Sequence, residues 1–101
     1  MSTQYFGQLG RLRQDKITEY VELHANTWPG VCKTIQECNL QNYHIFISRD
    51  QVFSFYEYTG EDYEADMRKM AADPVTQEWW SHTKPCFEKL YEDMNEIFYL
   101  K

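Results

Sequence analysis

The chain has 101 residues, of which 43% are hydrophobic and 17% aromatic, and it carries a net charge of −6. That length fits one domain, expected over 1–101. The acidity excludes the basic footprint that a phosphate backbone demands, and no apolar run approaches the ~20 residues that span a bilayer, so neither nucleic acid nor membrane is an expected partner. The opening stretch, "MSTQYFGQLGRLRQDK", has no apolar segment and no small-residue cleavage site of a secretory leader, and a cytoplasmic protein is expected. Cys32, Cys38 and Cys86 are odd in number and form no CxxC pair, the usage of reduced, structural thiols.

Gln4–Leu12 mixes apolar and polar residues at roughly period two and predicts a strand. Asp15 is the expected cap of a helix from Lys16 to about Ala25, where Ile17, Tyr20, Val21 and His24 fall on one helical face. Trp28 precedes a proline and so avoids the α region, while Pro29 suits the first turn of a second helix. Its stripe of Val31, Cys32, Ile35 and Cys38 runs to about Asn39. Asn42–Ser48 and Val52–Tyr58 are rich in β-formers around a tight connection and predict a hairpin. Tyr43, Ile45 and Ile47 share a face of its first strand, and Phe53, Phe55 and Glu57 share a face of its second. Residues 61–72 predict a helix with acids in its first turn, where the helix dipole favours them. Asp73-Pro74 restarts a helix through Lys84, and Pro85 breaks it. Cys86–Asp93 reads as a further amphipathic helical turn or two, and Glu96–Leu100 as a last strand.

The order β-αα-ββ-αα-β predicts an α+β domain of ferredoxin-like arrangement, a four-stranded antiparallel sheet with helices on one face. The other sheet face needs cover, and a second copy packed sheet to sheet would supply it.

Three constellations bear on chemistry. Tyr20, His24 and Trp28 stack one turn apart along a helix face. They describe either a satisfied core histidine or a proton donor near neutral pH framed by aromatic walls. In "EWW", Trp79 and Trp80 are adjacent and so about 100° apart on a helix, which turns one of them toward a cleft or an interface. Tryptophan faces suit the C–H faces of a sugar. Glu57 continues an apolar row, where desolvation raises a carboxyl pKa unless the group is paired. It is a candidate base or orienting group, or a buried glutamate bound to a tyrosine or arginine. His24, His44 and His82 lack metal-ligand spacing, and no dinucleotide, P-loop or nucleophile-elbow motif occurs.

Taken jointly, "EYVELHANTWPGV", "NYHIFI", "DPVTQEWW" and the terminal "EIFYL" resemble the L-rhamnose mutarotase family over nearly the whole chain. The resemblance implies a small cytoplasmic enzyme of the dimeric α/β-barrel type that interconverts the α and β anomers of L-rhamnose without a cofactor or metal. It places the proton-donor histidine on His24, the sugar-contacting tyrosines on Tyr20 and Tyr43, and the tryptophan pair on Trp79 and Trp80. The chain departs from the family between Trp80 and Glu96, where it is several residues shorter, and L-fucose stands as the alternative sugar. A non-catalytic sugar-binding module and a small oxygenase-like member of the same architecture are the readings from other classes.

Overall fold

The computed structural model describes residues 3–101. Four strands form one antiparallel sheet: β1 (Gln4–Leu12), β2 (Leu40–Ser48), β3 (Gln51–Tyr58) and β4 (Phe87–Met94), in the order β2-β3-β1-β4. Two helices, α1 (Ile17–Ala25) and α2 (Pro29–Glu37), connect β1 to β2, and α3 (Tyr63–Ala72) and α4 (Pro74–Thr83) connect β3 to β4. This is the ferredoxin-like topology expected from the element order.

Alternation along β3 shows which face the helices cover. Val52, Ser54, Tyr56 and Tyr58 are buried, while Phe53, Phe55 and Glu57 point to the opposite, open face. The register carries the division across the sheet: Leu9 and Phe46 oppose Phe53 on the open side, and Gln8 and Ile45 oppose Ser54 on the covered side. Two apolar clusters form the core. One gathers Leu12, Tyr20, Val52, Cys86 and Phe87; the other gathers Cys38, Leu40, Tyr56, Tyr58 and Met70.

Helix starts follow local chemistry. The Asp62 carboxylate accepts from the Ala65 amide at 3.1 Å and opens α3. Asp73 accepts from the Thr76 amide at 2.9 Å and opens α4, with Pro74 in its first turn. The Thr34 hydroxyl of α2 reaches the same Asp73 carboxylate at 3.2 Å, so one cap also fastens two helices. Asp15 does not cap α1. It lies inside a 3₁₀ turn over Gln14–Lys16, and α1 starts after Lys16 without a side-chain cap. The three thiols are free, with Cys32 exposed and Cys38 and Cys86 buried.

The expected end of the chain is corrected. Cys86 closes a 3₁₀ turn over Lys84–Cys86, from Phe87 the segment forms β4, which pairs with β1, and Glu96–Leu100 joins no strand. The register slips twice, since Leu9 faces Glu92, Arg11 faces Lys89 and Leu12 faces Phe87. These bulges put extra residues into β4 and bring Phe87, Leu90 and Tyr91 to one cavity. Their spacing of three and four residues imitates a helix. Gly10 makes room for them: a Cβ there would stand 2.9 Å from the Phe87 ring and 3.3 Å from that of Tyr91.

Candidate active site

A cavity of about 340 Å³ opens on the covered side of the sheet, between the two core clusters. It lies at the small end of ligand pockets, which run from about 300 to 1,000 Å³. Tyr20, His24, Tyr43, Trp79 and Trp80, the five positions singled out by the resemblance, all line it. They come from α1, β2 and α4, elements far apart in sequence that the sheet topology brings together.

His24 is held from several sides. Its Nδ1 lies 2.8 Å from the Tyr20 carbonyl oxygen, which only accepts, so Nδ1 carries the proton and Nε2 is left for exchange. The Tyr20 ring packs on the imidazole at 4.3 Å, and Trp79 meets it edge-on at 5.3 Å. Burial lowers the His24 pKa, partly opposed by the bond to the Tyr20 carbonyl, and the ring rests neutral. Trp28 stands behind Trp79 at 5.2 Å and supports the wall without lining the cavity. Trp79 is buried, while Trp80 is half-buried and carries the Lys84 ammonium over its ring at 4.5 Å.

Three tyrosines surround this centre. Tyr20 and Tyr91 share a hydrogen bond at 3.0 Å, and Tyr43 packs on Tyr56 at 5.1 Å. Burial pushes the phenols of Tyr20, Tyr43 and Tyr91 upward, so they stay protonated at neutral pH. They offer hydrogen bonds and carry no charge. On the floor, the Gln8 amide donates to Asp93 at 2.8 Å and accepts from the Ser54 hydroxyl at 3.2 Å, which fixes its orientation.

Glu57 does not join this group. It sits on the open face of the sheet and accepts from the side-chain amides of Asn42 and Gln41, at 2.9 and 3.0 Å. These bonds hold its carboxyl below the usual range, the reverse of the rise expected from an apolar setting. Glu57 does share a row with Phe53 and Phe55, as alternation predicts, but that row faces outward. Sequence reasoning missed Gln8, Lys84, Leu90 and Tyr91. For Leu90 and Tyr91 the available signal was the strand-forming capacity of Phe87–Met94, hidden by its bulges.

The profile of the family described as L-rhamnose mutarotase matches residues 5–100. The chain belongs to the L-rhamnose mutarotase family. It is 30% identical over 97 residues to the L-rhamnose mutarotase of Bacillus subtilis (strain 168), covering 88% of this chain and 90% of that protein. The crystal structure of an L-rhamnose mutarotase from Formosa agariphila superposes with a TM-score of 0.79 at 18% identity, covering 97% of this chain and 99% of that one. A dimeric ferredoxin-like protein from an uncultured marine organism shares the fold at a TM-score of 0.57 and 10% identity, over 99% of this chain and 95% of that one. The family consists of isomerases that interconvert sugar anomers, and membership favours that class over a non-catalytic sugar binder or a small oxygenase. Among the described residues, no helix is long and apolar enough to cross a membrane.

Proposed function

We propose that the chain interconverts the α and β anomers of a 6-deoxy-hexose, L-rhamnose in the first instance, with His24 as the proton-transfer residue. The observation that carries this reading is a resting-neutral imidazole, fixed through Nδ1, in a monosaccharide-sized cavity walled by tyrosines and tryptophans. His24 offers the cavity an imidazole able to exchange a proton, while burial keeps the phenols protonated and, among the described residues, no carboxylate lines the cavity.

The chemistry balances with one imidazole. Nε2 takes the proton of the anomeric hydroxyl, and the imidazolium returns it to the ring oxygen as the C1–O5 bond breaks, leaving the free aldehyde. After rotation about C1–C2, the C5 hydroxyl attacks the other carbonyl face. Its proton passes to Nε2 and then to the new anomeric oxygen. The sequence reading of His24 as acid is thus one half of its work, and Glu57 takes no part in proton transfer. Tyr20 and Tyr43 hydrogen-bond sugar hydroxyls, with the Gln8 amide below them, and Trp79 and Trp80 pack on the sugar ring and its methyl group.

Saturation transfer between anomeric protons tests this directly, with L-rhamnose and L-fucose compared with and without protein. Faster exchange of L-rhamnose is expected. Faster exchange of L-fucose alone would reassign the substrate, and no acceleration with either sugar would refute the reading.

The open sheet face supports a homodimer. Tyr5, Leu9, Phe46, Phe53, Phe55 and Met94 all lie on it, and the 58% exposure of Phe46 is unusual for a phenylalanine flanked by other aromatic rings. Sheet-to-sheet pairing about a two-fold axis would cover this face. Sedimentation equilibrium should give twice the chain mass, and Phe46→Glu should give monomers.

A further inference from the structure

Strict alternation along β2 would not place Tyr43 in the cavity. Leu40 is buried on the covered side, and counting by twos from it sends Asn42 inward and Tyr43 outward. The observed register departs from that count. Gln41 faces Glu57, and His44 faces Phe55, so β2 advances by one residue more than β3 over this interval. The extra residue is a bulge, and Asn42 occupies it with φ of 48°, in the left-handed region that asparagine tolerates better than most residues. Beyond it, Tyr43, Ile45 and Ile47 face the covered side, with Tyr43 and Ile45 in the cavity wall.

What holds the bulge is on the far side of the sheet. Gln41 and Asn42 are consecutive, yet both side chains reach the open face and donate to one oxygen, Oε1 of Glu57, at 3.0 and 2.9 Å. A regular strand sends consecutive side chains to opposite faces. The shared acceptor therefore fixes the irregular geometry itself and, with it, the direction of the next residue. We propose that Glu57 is a positioning residue of the sugar pocket: its carboxylate clamps the Gln41–Asn42 bulge from the open face and so aims Tyr43 into the cavity on the other. The geometric part stands on the register and hydrogen bonds; its catalytic consequence rests on the mutarotase reading.

The two parts are separated by two readouts. In the sugar-free protein, ring-proton NMR contacts between Tyr43 and Tyr56, whose rings lie 5.1 Å apart, report the aim of Tyr43. Glu57→Ala should weaken them. Asn42→Gly should do the same, since it keeps the left-handed backbone and removes one donor. Glu57→Gln, which keeps an acceptor oxygen, should largely restore them. In anomer exchange, Glu57→Ala should raise KM about tenfold with a smaller effect on kcat, and less than twofold in a Tyr43→Ala background, because the two changes act through one contact. Unchanged ring contacts in both Glu57→Ala and Asn42→Gly would overturn the proposal, as would a KM effect of equal size with and without Tyr43. Weakened contacts in a protein whose wild type turns over neither sugar would refute the mutarotase reading and leave the clamp standing.

Discussion

The two edge strands of the sheet solve the same problem by different means. Both β2 and β4 break register with β-bulges, and both thereby bring a tyrosine to the cavity, Tyr43 from one side and Tyr91 from the other. On β2 the bulge is tied by polar side chains on the open face. On β4 it is accommodated by the space above Gly10, which the Phe87 and Tyr91 rings occupy. One edge is fixed by hydrogen bonds and the other by packing, so the two should fail differently.

The largest effect tests the centre that both edges serve. His24→Ala should lower the rate of anomer exchange by about 10²–10⁴-fold, the usual share of general acid–base help, with ring contacts at Tyr43 and Tyr91 preserved. Saturation-transfer NMR measures the first and ring-proton spectra the second. Next comes the packed edge. Gly10→Ala forces the Phe87 and Tyr91 rings to move and should cost about 1–3 kcal/mol in urea unfolding, while also raising KM. A Glu57 variant, by contrast, should raise KM with little change in the unfolding midpoint. Equal loss of stability from both sites would erase the distinction between the edges.

Paired tyrosine variants sharpen it further. Tyr91→Phe removes the 3.0 Å bond to Tyr20 and should cost about 0.5–1.5 kcal/mol together with a rise in KM. Tyr43→Phe should raise KM and leave stability within about 0.5 kcal/mol, if its phenol faces the sugar as proposed.

The smallest expected effect is on pH. In the proposed mechanism neutral His24 accepts the first proton, and its pKa is lowered below the ordinary 6.5 by burial. The exchange rate should therefore be level above about pH 6.5 and fall as pH drops through the folded pKa. Stability moves the same way. The unfolded chain binds the His24 proton more readily, so the folded state loses stability as pH falls below the unfolded value toward the folded one. Glu57, Asp66 and Asp73 are all held below their ordinary values, chiefly by hydrogen bonds that their carboxylates accept. Their contribution is present above the ordinary carboxyl range and is lost as pH falls through the lowered values. Acid unfolding should accordingly show an early limb that disappears in His24→Gln and a later one that remains.

The same two edges mark how far the sequence is legible. Period-two and period-3.6 patterns give β1 and the hairpin, and prolines locate α2 and α4, because these elements obey regular spacing. The β4 bulges break that spacing, so a strand resembles a helical turn until its partner β1 is seen. The apolar run Ile97–Leu100 looks like a strand, yet it pairs with no other strand and is exposed. At the cavity, Tyr20, His24, Tyr43, Trp79 and Trp80 were legible because the stretches that carry them resemble the L-rhamnose mutarotase family. Tyr91 was not, since its role depends on a register slip. Glu57 was assigned to the right row, but a local pattern does not tell which side of a sheet the helices will cover.

The tryptophan arrangement has an optical consequence. The chain contains three tryptophans, and Trp79 and Trp80 line the cavity while Trp28 leans edge-on against Trp79. The indole emission of the molecule therefore arises at or directly behind the cavity wall, with no distant fluorophore to dilute it. A sugar that enters must displace solvent from these rings and change their spectrum. Occupancy should be readable by titrating the unlabelled protein, including the His24→Ala form, in which slow exchange lets binding be read apart from turnover.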